Sequence, residues 1–421
     1  MSLVKEKMVI TLDQNKRKTP YYIFYADQFI QNYYELQHAF CSIYSKFQIA
    51  YSFKTNYTPA VCELVKSLGG FAEVVSDMEY TLAKKIGYPD NRIIYNGPGK
   101  GKCLESCVLG HGLLHIDNST DINRVVALAR QYTDKEFSVG IRANFDIENG
   151  LHSRFGLDVE NGEFGRALKR IQSVGNIKVN GLHFHISRAR GKIAWSKRIE
   201  KLMDIADTYF DYPLDYIDIG SGMFGHLEPE LKEQFGDPPS YKDYAEIVAG
   251  KMEEHYNGLP ESQKPILVVE PGTTVVSKYF RLYTTVLDIK EIRSKFFGLL
   301  DSGIHNVGEI CVLKKVPVKN LGSGKNRREY KAIDLVGYTC LEQDVIFPNY
   351  QGKLAVGDIL EIQNVGGYSI VDKPPFIHPD IPIYMKKNEK IECIKREQTF
   401  DDIFAPYFFG VIETAGGKGY E

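Results

Sequence analysis

The sequence feature that most constrains the fold is an alternation of strand-like and helix-like segments, repeated eight times between residues 47 and 270. Each short apolar segment is rich in β-branched residues and has the length of a buried strand. The segments between them carry helical apolar spacing, as in residues 60–68, where the following Gly69-Gly70 is typical of a helix C-cap. Eight such units predict an α/β fold, a (β/α)8 TIM-type barrel. The predicted strands are Phe47–Phe53, Phe71–Val75, Arg92–Tyr95, Leu113–Ile116, Ser138–Arg142, Gly181–His185, Tyr216–Ile219 and Ile266–Val269.

The alternation stops after Glu270, and strand-like segments then follow one another with few helical stretches. A chain of 421 residues is too long for one ordinary core, so a second domain is expected. We predict a mainly β domain, a barrel or sandwich, built from the C-terminal part plus the N-terminal strands. The predicted division is residues 1–40 for N-terminal strands that join the β domain, 41–276 for the barrel and 277–421 for the C-terminal β domain. The predicted strands of the β domain include Met8–Leu12, Tyr21–Tyr25, Tyr283–Ile289, Tyr330–Val336 and Ile359–Gln363.

Charge and composition exclude several classes of protein. The net charge of -2 gives no reason to expect nucleic acid or an anionic membrane as a partner. No apolar run reaches the length of a membrane span, and the N-terminus lacks the apolar core of a secretory signal. Seven scattered cysteines indicate a reducing cytoplasm rather than a disulfide framework. Cys103 and Cys107 have no second Cys/His pair nearby, so we expect packing residues and no metal.

Polar side chains follow the predicted strands at the ends where barrels carry their functional residues. Lys54 stands at the end of the first strand, as either a stem that reaches water or a reactive amine. Asp117 is predicted to be a solvated strand end. The convergence of so many polar groups on one mouth predicts a site for a small molecule. The set consists of Lys54, Glu73, Asn96, Asp117, Arg142, His185, Gly220-Ser221-Gly222 and Glu270.

Short motifs along almost the whole chain form an ordered set. They are Tyr51-Ser52-Phe53-Lys54-Thr55-Asn56, Glu73-Val74-Val75-Ser76, Asn96-Gly97-Pro98-Gly99-Lys100, Ser153-Arg154-Phe155-Gly156, Gly181-Leu182-His183-Phe184-His185, Gly220-Ser221-Gly222-Met223-Phe224, Glu270-Pro271-Gly272, Cys340 with Asp344, and Gly366-Gly367-Tyr368. In this order they resemble the barrel-fold decarboxylases that depend on pyridoxal 5′-phosphate (PLP) and have the alanine-racemase-type barrel. This family includes diaminopimelate, ornithine and carboxynorspermidine decarboxylases.

The resemblance implies PLP as cofactor and a role for each matched residue. Lys54 is expected to carry PLP as a Schiff base, with burial near the cationic ring lowering the pKa of its amine. Glu270 is expected to pair with the pyridine nitrogen, so that the ring accepts electrons when the bond from Cα to the carboxylate breaks. His185 is expected to stack on the ring, while Glu73 and Arg142 orient the lysine and the cofactor.

The same resemblance implies the phosphate site and the assembly. Backbone N–H groups of the Gly-rich turn are expected to approach the phosphate, and Tyr368 adds a hydroxyl. Cys340 is expected to reach in from a partner subunit and protonate Cα, which implies a homodimer with composite active sites. The expected residues of the cofactor site, beyond those already assigned, are Gly220, Ser221, Gly222, Gly272, Thr273 and Tyr368.

Three departures from the family pattern concern the substrate. After His185 the family commonly continues with Gly-Ser, whereas here Ile186 leads to Ser187-Arg188-Ala189-Arg190. The family usually has arginine after Glu-Pro-Gly, where this chain has Thr273, which cannot clamp a carboxylate with two hydrogen bonds. We hypothesise that Arg188 supplies the charge that Thr273 lacks. An acid is usual directly after the cysteine, but here Glu342 and Asp344 come later. We therefore predict substrate contacts for Arg188, Glu342 and Asp344.

The predicted function is decarboxylation of an amino acid at Cα, giving an amine and carbon dioxide, with diaminopimelate as the reference substrate. A modified or conjugated amino acid in siderophore, polyamine or antibiotic biosynthesis is the alternative. Two further alternatives are a racemase and a catalytically silent PLP-binding homologue. Glu270 argues against a racemase, because alanine racemases put an arginine at the pyridine nitrogen.

Overall fold

A computed structural model describes residues 17–308, 310–324, 326–373 and 375–409. The predicted strand Met8–Leu12 lies outside the described residues. The strands are β1 (Tyr21–Tyr25), β2 (Phe47–Ser52), β3 (Phe71–Val74), β4 (Ile93–Tyr95), β5 (Leu113–Ile116), β6 (Phe137–Asn144), β7 (Leu157–Asp158), β8 (Ile177–His183), β9 (Tyr216–Asp218), β10 (Ile266–Val269), β11 (Phe280–Ile292), β12 (Lys295–Leu300), β13 (Val318–Asn320), β14 (Arg328–Val336), β15 (Val345–Leu354), β16 (Ile359–Ile362), β17 (Ile383–Lys387) and β18 (Lys390–Lys395).

Helices follow most of the barrel strands, as the alternation predicts. They are α1 (Ala26–Cys41), α2 (Pro59–Ser67), α3 (Asp77–Ile86), α4 (Cys103–Leu109), α5 (Ser119–Gln131), α6 (Glu163–Gln172), α7 (Lys192–Tyr209), α8 (Pro229–Phe235), α9 (Tyr241–Tyr256), α10 (Thr273–Val276), α11 (Ile304–Val307), α12 (Ile310–Leu313) and α13 (Phe400–Phe404). Among the described residues, none of these helices is long and apolar enough to cross a membrane.

The first sheet is a closed parallel barrel. Its strand order is β5-β4-β3-β2-β10-β9-β8-β6, and pairing of β5 with β6 closes the ring. All eight predicted barrel strands are present, so the (β/α)8 prediction is confirmed. The short strand β7 pairs with β6 outside the ring. Strand β8 ends at His183, so His185 lies in the loop after the strand rather than within it.

The second sheet forms a separate, mainly β domain, as predicted. Its strand order is β15-β14-β12-β11-β1-β17-β18, and β16 pairs with both β11 and β13. The N-terminal strand β1 is antiparallel to β11 and parallel to β17. The prediction that Tyr21–Tyr25 joins the C-terminal strands is therefore confirmed.

The N-terminal segment also contains a helix that the sequence reasoning did not predict. Helix α1 buries Phe29, Tyr33 and Phe40. It is tied to α9 of the barrel by a hydrogen bond of 2.8 Å from the Tyr241 hydroxyl to the Asn32 amide oxygen. From its first described strand in the β domain, the chain passes into the barrel and then returns to the β domain.

Candidate active site

Predicted functional side chains converge at the carboxyl ends of the barrel strands, around a cavity of about 630 Å³. This cavity is here called the lysine cavity. Its predicted lining residues are Lys54, Glu73, Asn96, Arg142, His185, Arg188 and Glu270. His152, Ser153, Arg154 and Phe155 complete one wall. The barrel geometry therefore assembles in one place what the sequence distributes over more than two hundred positions.

Lys54 lies in a single turn of helix directly after β2. Its Nζ lies 2.5 Å from a carboxylate oxygen of Glu73 and donates a hydrogen bond of 2.9 Å to the Ser52 hydroxyl. The Ser52 hydroxyl in turn donates to Glu73. Burial lowers the pKa of Lys54, but the carboxylates of Glu73 and Glu270 outweigh it and raise the pKa above its ordinary value. The expectation of a lowered pKa is wrong for the protein alone, because it left out the two neighbouring acids.

Glu270 follows β10 and is buried within a network of polar side chains. The Asn96 side-chain amide donates to Glu270 at 2.5 Å and to Glu73 at 3.2 Å, so it links the two acids. The Asn96 oxygen accepts from Nδ1 of His115 at 2.5 Å, and that imidazole stacks on His183. Nε2 of His183 lies 3.4 Å from Glu270.

The protons in this network follow from burial. Asp218 lies beside Glu270, and burial together with the charge of Glu270 raises the pKa of Asp218 well above its ordinary value. Burial lowers the pKa of both His115 and His183 well below the ordinary value, so both rings are neutral. The raised pKa of Asp218 favours its protonated form beside Glu270. Sequence reasoning gave no role to His115, His183 or Asp218, although His183 stands in the motif of residues 181–185.

Asp117 is not a solvated strand end, and that prediction is wrong. It is buried and forms an ion pair of 3.1 Å with Arg142. The other guanidinium nitrogen of Arg142 donates to the His185 carbonyl at 2.9 Å. The Phe155 ring lies 4.9 Å from this guanidinium. An added Cβ on Gly156 would come within 2.9 Å of Arg142, so the motif of residues 153–156 packs on the arginine that fixes His185.

The Gly-rich turn lies against His185. The Ser221 backbone N–H donates to Nδ1 of His185 at 3.2 Å, and burial lowers the pKa of His185, so its neutral ring can accept. Gly220 has a φ of +61°, and an added Cβ would lie 2.7 Å from His185. The Asp218 carboxyl accepts from the Gly220 N–H at 2.9 Å. A left-handed backbone and this close approach both require glycine at position 220.

A second, smaller cavity of about 110 Å³ lies beside the Gly-rich turn. We call it the threonine chamber, because Thr273 lines it together with Arg190, Phe224, Ser277 and Tyr368. The Tyr368 backbone N–H donates to the Thr55 carbonyl at 2.9 Å, which brings the β domain to the lysine turn. Gly272 packs against Thr55, because a Cβ added at Gly272 would lie 2.0 Å from the Thr55 hydroxyl. Arg188 lines the lysine cavity instead, so the structure does not bring Arg188 and Thr273 together.

Cys340, Glu342 and Asp344 do not line the lysine cavity of their own protomer. Cys340 is exposed on a loop of the β domain. Asp344 is buried and holds this loop, accepting from the Ile304 N–H at 2.6 Å and from the Thr339 hydroxyl at 2.6 Å. Its carboxylate is thus engaged in its own protomer, and within that protomer the predicted substrate contact is not formed.

The residues present fit PLP. An amine stands beside a cavity, a buried carboxylate lies nearby, and Gly220, which has no room for a Cβ, packs against His185. Among the described residues, neither ring nitrogen of the buried His183 has a hydrogen-bond partner, although Nε2 lies 3.4 Å from Glu270. These groups can bind an aldehyde, stabilise a cationic ring and approach an anion with backbone N–H groups.

Comparison with known proteins agrees with this geometry. Residues 27–277 match the family described as "Pyridoxal-dependent decarboxylase, pyridoxal binding domain", and residues 215–366 match "Pyridoxal-dependent decarboxylase, C-terminal sheet domain". The diaminopimelate decarboxylase of Aquifex aeolicus is 24% identical, covering 92% of this chain and 91% of the relative. That of Methanocaldococcus jannaschii is 25% identical, covering 92% and 90%.

Solved structures show the same fold. The crystal structure of diaminopimelate decarboxylase from M. jannaschii in complex with L-lysine has a TM-score of 0.83 at 24% identity, covering 94% of this chain and 93% of that one. The arginine decarboxylase of Paramecium bursaria Chlorella virus has a TM-score of 0.73 at 18% identity, covering 88% and 96%. The chain belongs to the pyridoxal-dependent decarboxylases and is an amino-acid decarboxylase that uses PLP.

Proposed function

We propose that this decarboxylase acts on diaminopimelate or a close analogue, releasing the carboxylate from one Cα as carbon dioxide. The relatives named diaminopimelate decarboxylase support this substrate. The observation that carries the reaction is the hydrogen-bonded chain from Lys54 through Glu73 and Asn96 to Glu270. It places an amine and a buried carboxylate at one cavity.

The residues of the lysine cavity each have a proposed task. When bound, PLP withdraws the electrons that remain on Cα after the carboxylate leaves. Lys54 holds the cofactor, and Glu270 stabilises positive charge on the pyridine nitrogen. His185, fixed by Arg142 and Ser221, lies on the face of the ring. Glu73 orients the Lys54 amine and accepts its proton at 2.5 Å.

Two arginines at the lysine cavity are proposed to contact the substrate. Arg154 and Arg188 are both exposed, and no carboxylate among the described residues forms an ion pair with either. Guanidinium groups suit carboxylates. This arrangement fits a substrate with an anionic group far from the scissile bond, which diaminopimelate has. It also favours the second candidate, a conjugated amino acid with a larger anionic end.

A substrate panel distinguishes these candidates. Carbon dioxide release would be measured with diaminopimelate, lysine, ornithine, arginine and N-acylated diamino acids. We expect release from diaminopimelate and loss of this preference in Arg188→Ala, with Arg130→Ala as the control at another exposed arginine. Release from ornithine or arginine alone, or an Arg188→Ala enzyme with unchanged specificity, would contradict the proposed substrate contacts.

We propose a homodimer in which Cys340 of one subunit protonates Cα in the site of the other. The support is that Cys340 is exposed and lies outside the lysine cavity of its own chain. Mixing inactive Lys54→Ala and Cys340→Ala proteins should restore activity, because a mixed dimer has one intact composite site. Mixtures that stay inactive despite subunit exchange would refute the shared site. The seven free cysteines support placing the enzyme in a reducing cytoplasm.

A further inference from the structure

The threonine chamber differs from the lysine cavity in the acidic residues of its lining. Its described lining residues include Arg190 but no aspartate or glutamate, whereas Glu73 and Glu270 line the lysine cavity. The hydroxyl-bearing residues Thr273, Ser277 and Tyr368 share the chamber with Arg190. A small chamber that combines one cation with several hydroxyl groups suits a compact anion.

Arg190 is held in place by the buried Tyr244. The Tyr244 hydroxyl donates to the Arg190 carbonyl at 2.7 Å and accepts from the Phe224 N–H at 3.1 Å. One hydroxyl thus links the loop that carries Arg190 to the end of the Gly-rich turn. The Arg190 guanidinium also lies 5.2 Å from the centre of the Phe224 ring. Arg190 is therefore positioned beside the turn by both its backbone and its side chain.

Thr273 leaves room for this arrangement. An added Cβ on Gly367 would lie 2.8 Å from the Thr273 methyl group and 2.6 Å from the Ser277 hydroxyl, so this wall is already tight. A long side chain at position 273 would enter the same chamber that Arg190 lines. In this chain the cation of the chamber, Arg190, lies in the loop before α7, and position 273 carries no charge.

We infer that Arg190, with the hydroxyl groups of Tyr368 and Ser277, binds the phosphate of PLP in the threonine chamber. The inference rests on the proposed position of PLP, with its ring at Glu270 and its phosphate towards the Gly-rich turn. It assigns the two arginines of one loop to different ligands: Arg188 to the substrate and Arg190 to the cofactor. The hydrogen bonds involved are charge-assisted and are worth about ten- to a hundredfold in affinity.

The test compares the affinity of the protein for PLP and for pyridoxal, which lacks the phosphate, by visible absorbance. Wild type should prefer PLP strongly. Arg190→Gln should lose about ten- to a hundredfold in PLP affinity with little change for pyridoxal. Arg188→Gln, two residues away, is the matched control and should keep the preference. Adding Thr273→Arg to Arg190→Gln should restore PLP affinity, which excludes misfolding as the cause.

A second measurement uses inorganic phosphate alone. Phosphate should raise the unfolding temperature of the wild-type protein freed of PLP, and it should not do so in Arg190→Gln. Equal PLP affinity in wild type and Arg190→Gln would overturn the inference while leaving the decarboxylase intact. Failure of wild type to bind PLP at Lys54 would instead refute the cofactor site itself, so the two failures are distinguishable.

Discussion

Replacing Asp218 with asparagine should make the pH dependence of stability flatter. Asp218 is fully buried, and burial together with the charge of Glu270 raises its pKa. Asparagine is nearly the same size and neutral at every pH. Its oxygen can still accept from the Gly220 N–H, which donates to Asp218 at 2.9 Å, and its amide can face Glu270. The variant therefore mimics the protonated acid that the structure contains.

The magnitude follows from proton linkage. Above the pKa of an unfolded aspartate, about 3.9, the unfolded chain releases a proton that folded Asp218 retains. Stability from this group is complete below that value and falls as the pH rises towards the raised folded pKa. The slope is about 1.4 kcal/mol per pH unit. Relative to wild type, Asp218→Asn should therefore gain free energy of unfolding as the pH rises from the unfolded pKa towards the raised folded pKa, by at most about 1.4 kcal/mol per pH unit.

The assay is urea unfolding of wild-type and variant proteins freed of PLP, at several pH values. All other ionisable groups are common to both proteins, so the difference isolates position 218. The exposed Asp211→Asn is the matched control and should show no such slope. Asp218→Ala should show the same slope relative to wild type, but it should be less stable than Asp218→Asn by about 1–3 kcal/mol at every pH, because it leaves the Gly220 N–H unpaired. A constant difference between wild type and Asp218→Asn would show that Asp218 is ionised and refute the reasoning.

Three further substitutions test other contacts of the site. Glu73→Gln removes the carboxylate that lies 2.5 Å from Lys54, so the pKa of Lys54 should fall. The pH dependence of chemical labelling at the Lys54 amine measures this pKa, and a labelling profile unchanged from wild type would contradict the prediction. Arg142→Ala frees the His185 carbonyl and should weaken PLP binding about tenfold, measured by absorbance, whereas unchanged affinity would exclude a positioning role. Gly220→Ala forces a Cβ into left-handed backbone against His185 and should cost about 1–2 kcal/mol of stability, seen as a lower unfolding midpoint; an unchanged midpoint would refute the packing argument.

The barrel could be predicted from the sequence because its signal is local and repeated. Leu113–Ile116 and Ile266–Val269 were predicted to the residue, since apolar strands flanked by polar residues have sharp ends. The end of β8 was placed two residues too late, because Phe184 continues the apolar pattern after the strand stops. Lys54 and Glu270 were found for the same reason, as polar residues at strand ends.

The pairing of side chains could not be predicted in this way. Asp117 and Arg142 end neighbouring strands, but which acid meets which base depends on the stagger of the barrel. His115 lies inside a strand of four residues, where an inward-facing histidine looks the same as a packing residue. Arg188 and Arg190 occupy an irregular loop in which Arg188 has a φ of +67°. No periodicity assigns their side chains, so only the structure separates the two cavities.

The raised pKa of Lys54 has a consequence for the order of events in the site. An amine must be neutral to attack a carbonyl, yet Glu73 and Glu270 favour its charged form. Glu73 lies 2.5 Å from Nζ and can accept the proton, and Asn96 donates to the same carboxylate at 3.2 Å. Because Asn96 also donates to Glu270, a positive charge next to Glu270 would weaken the field that holds the proton on Lys54. A positive charge that neutralises Glu270 therefore also favours release of the Lys54 proton. Glu73 and Glu270 keep the amine protonated in the free protein, and this effect weakens once a cation is bound beside Glu270.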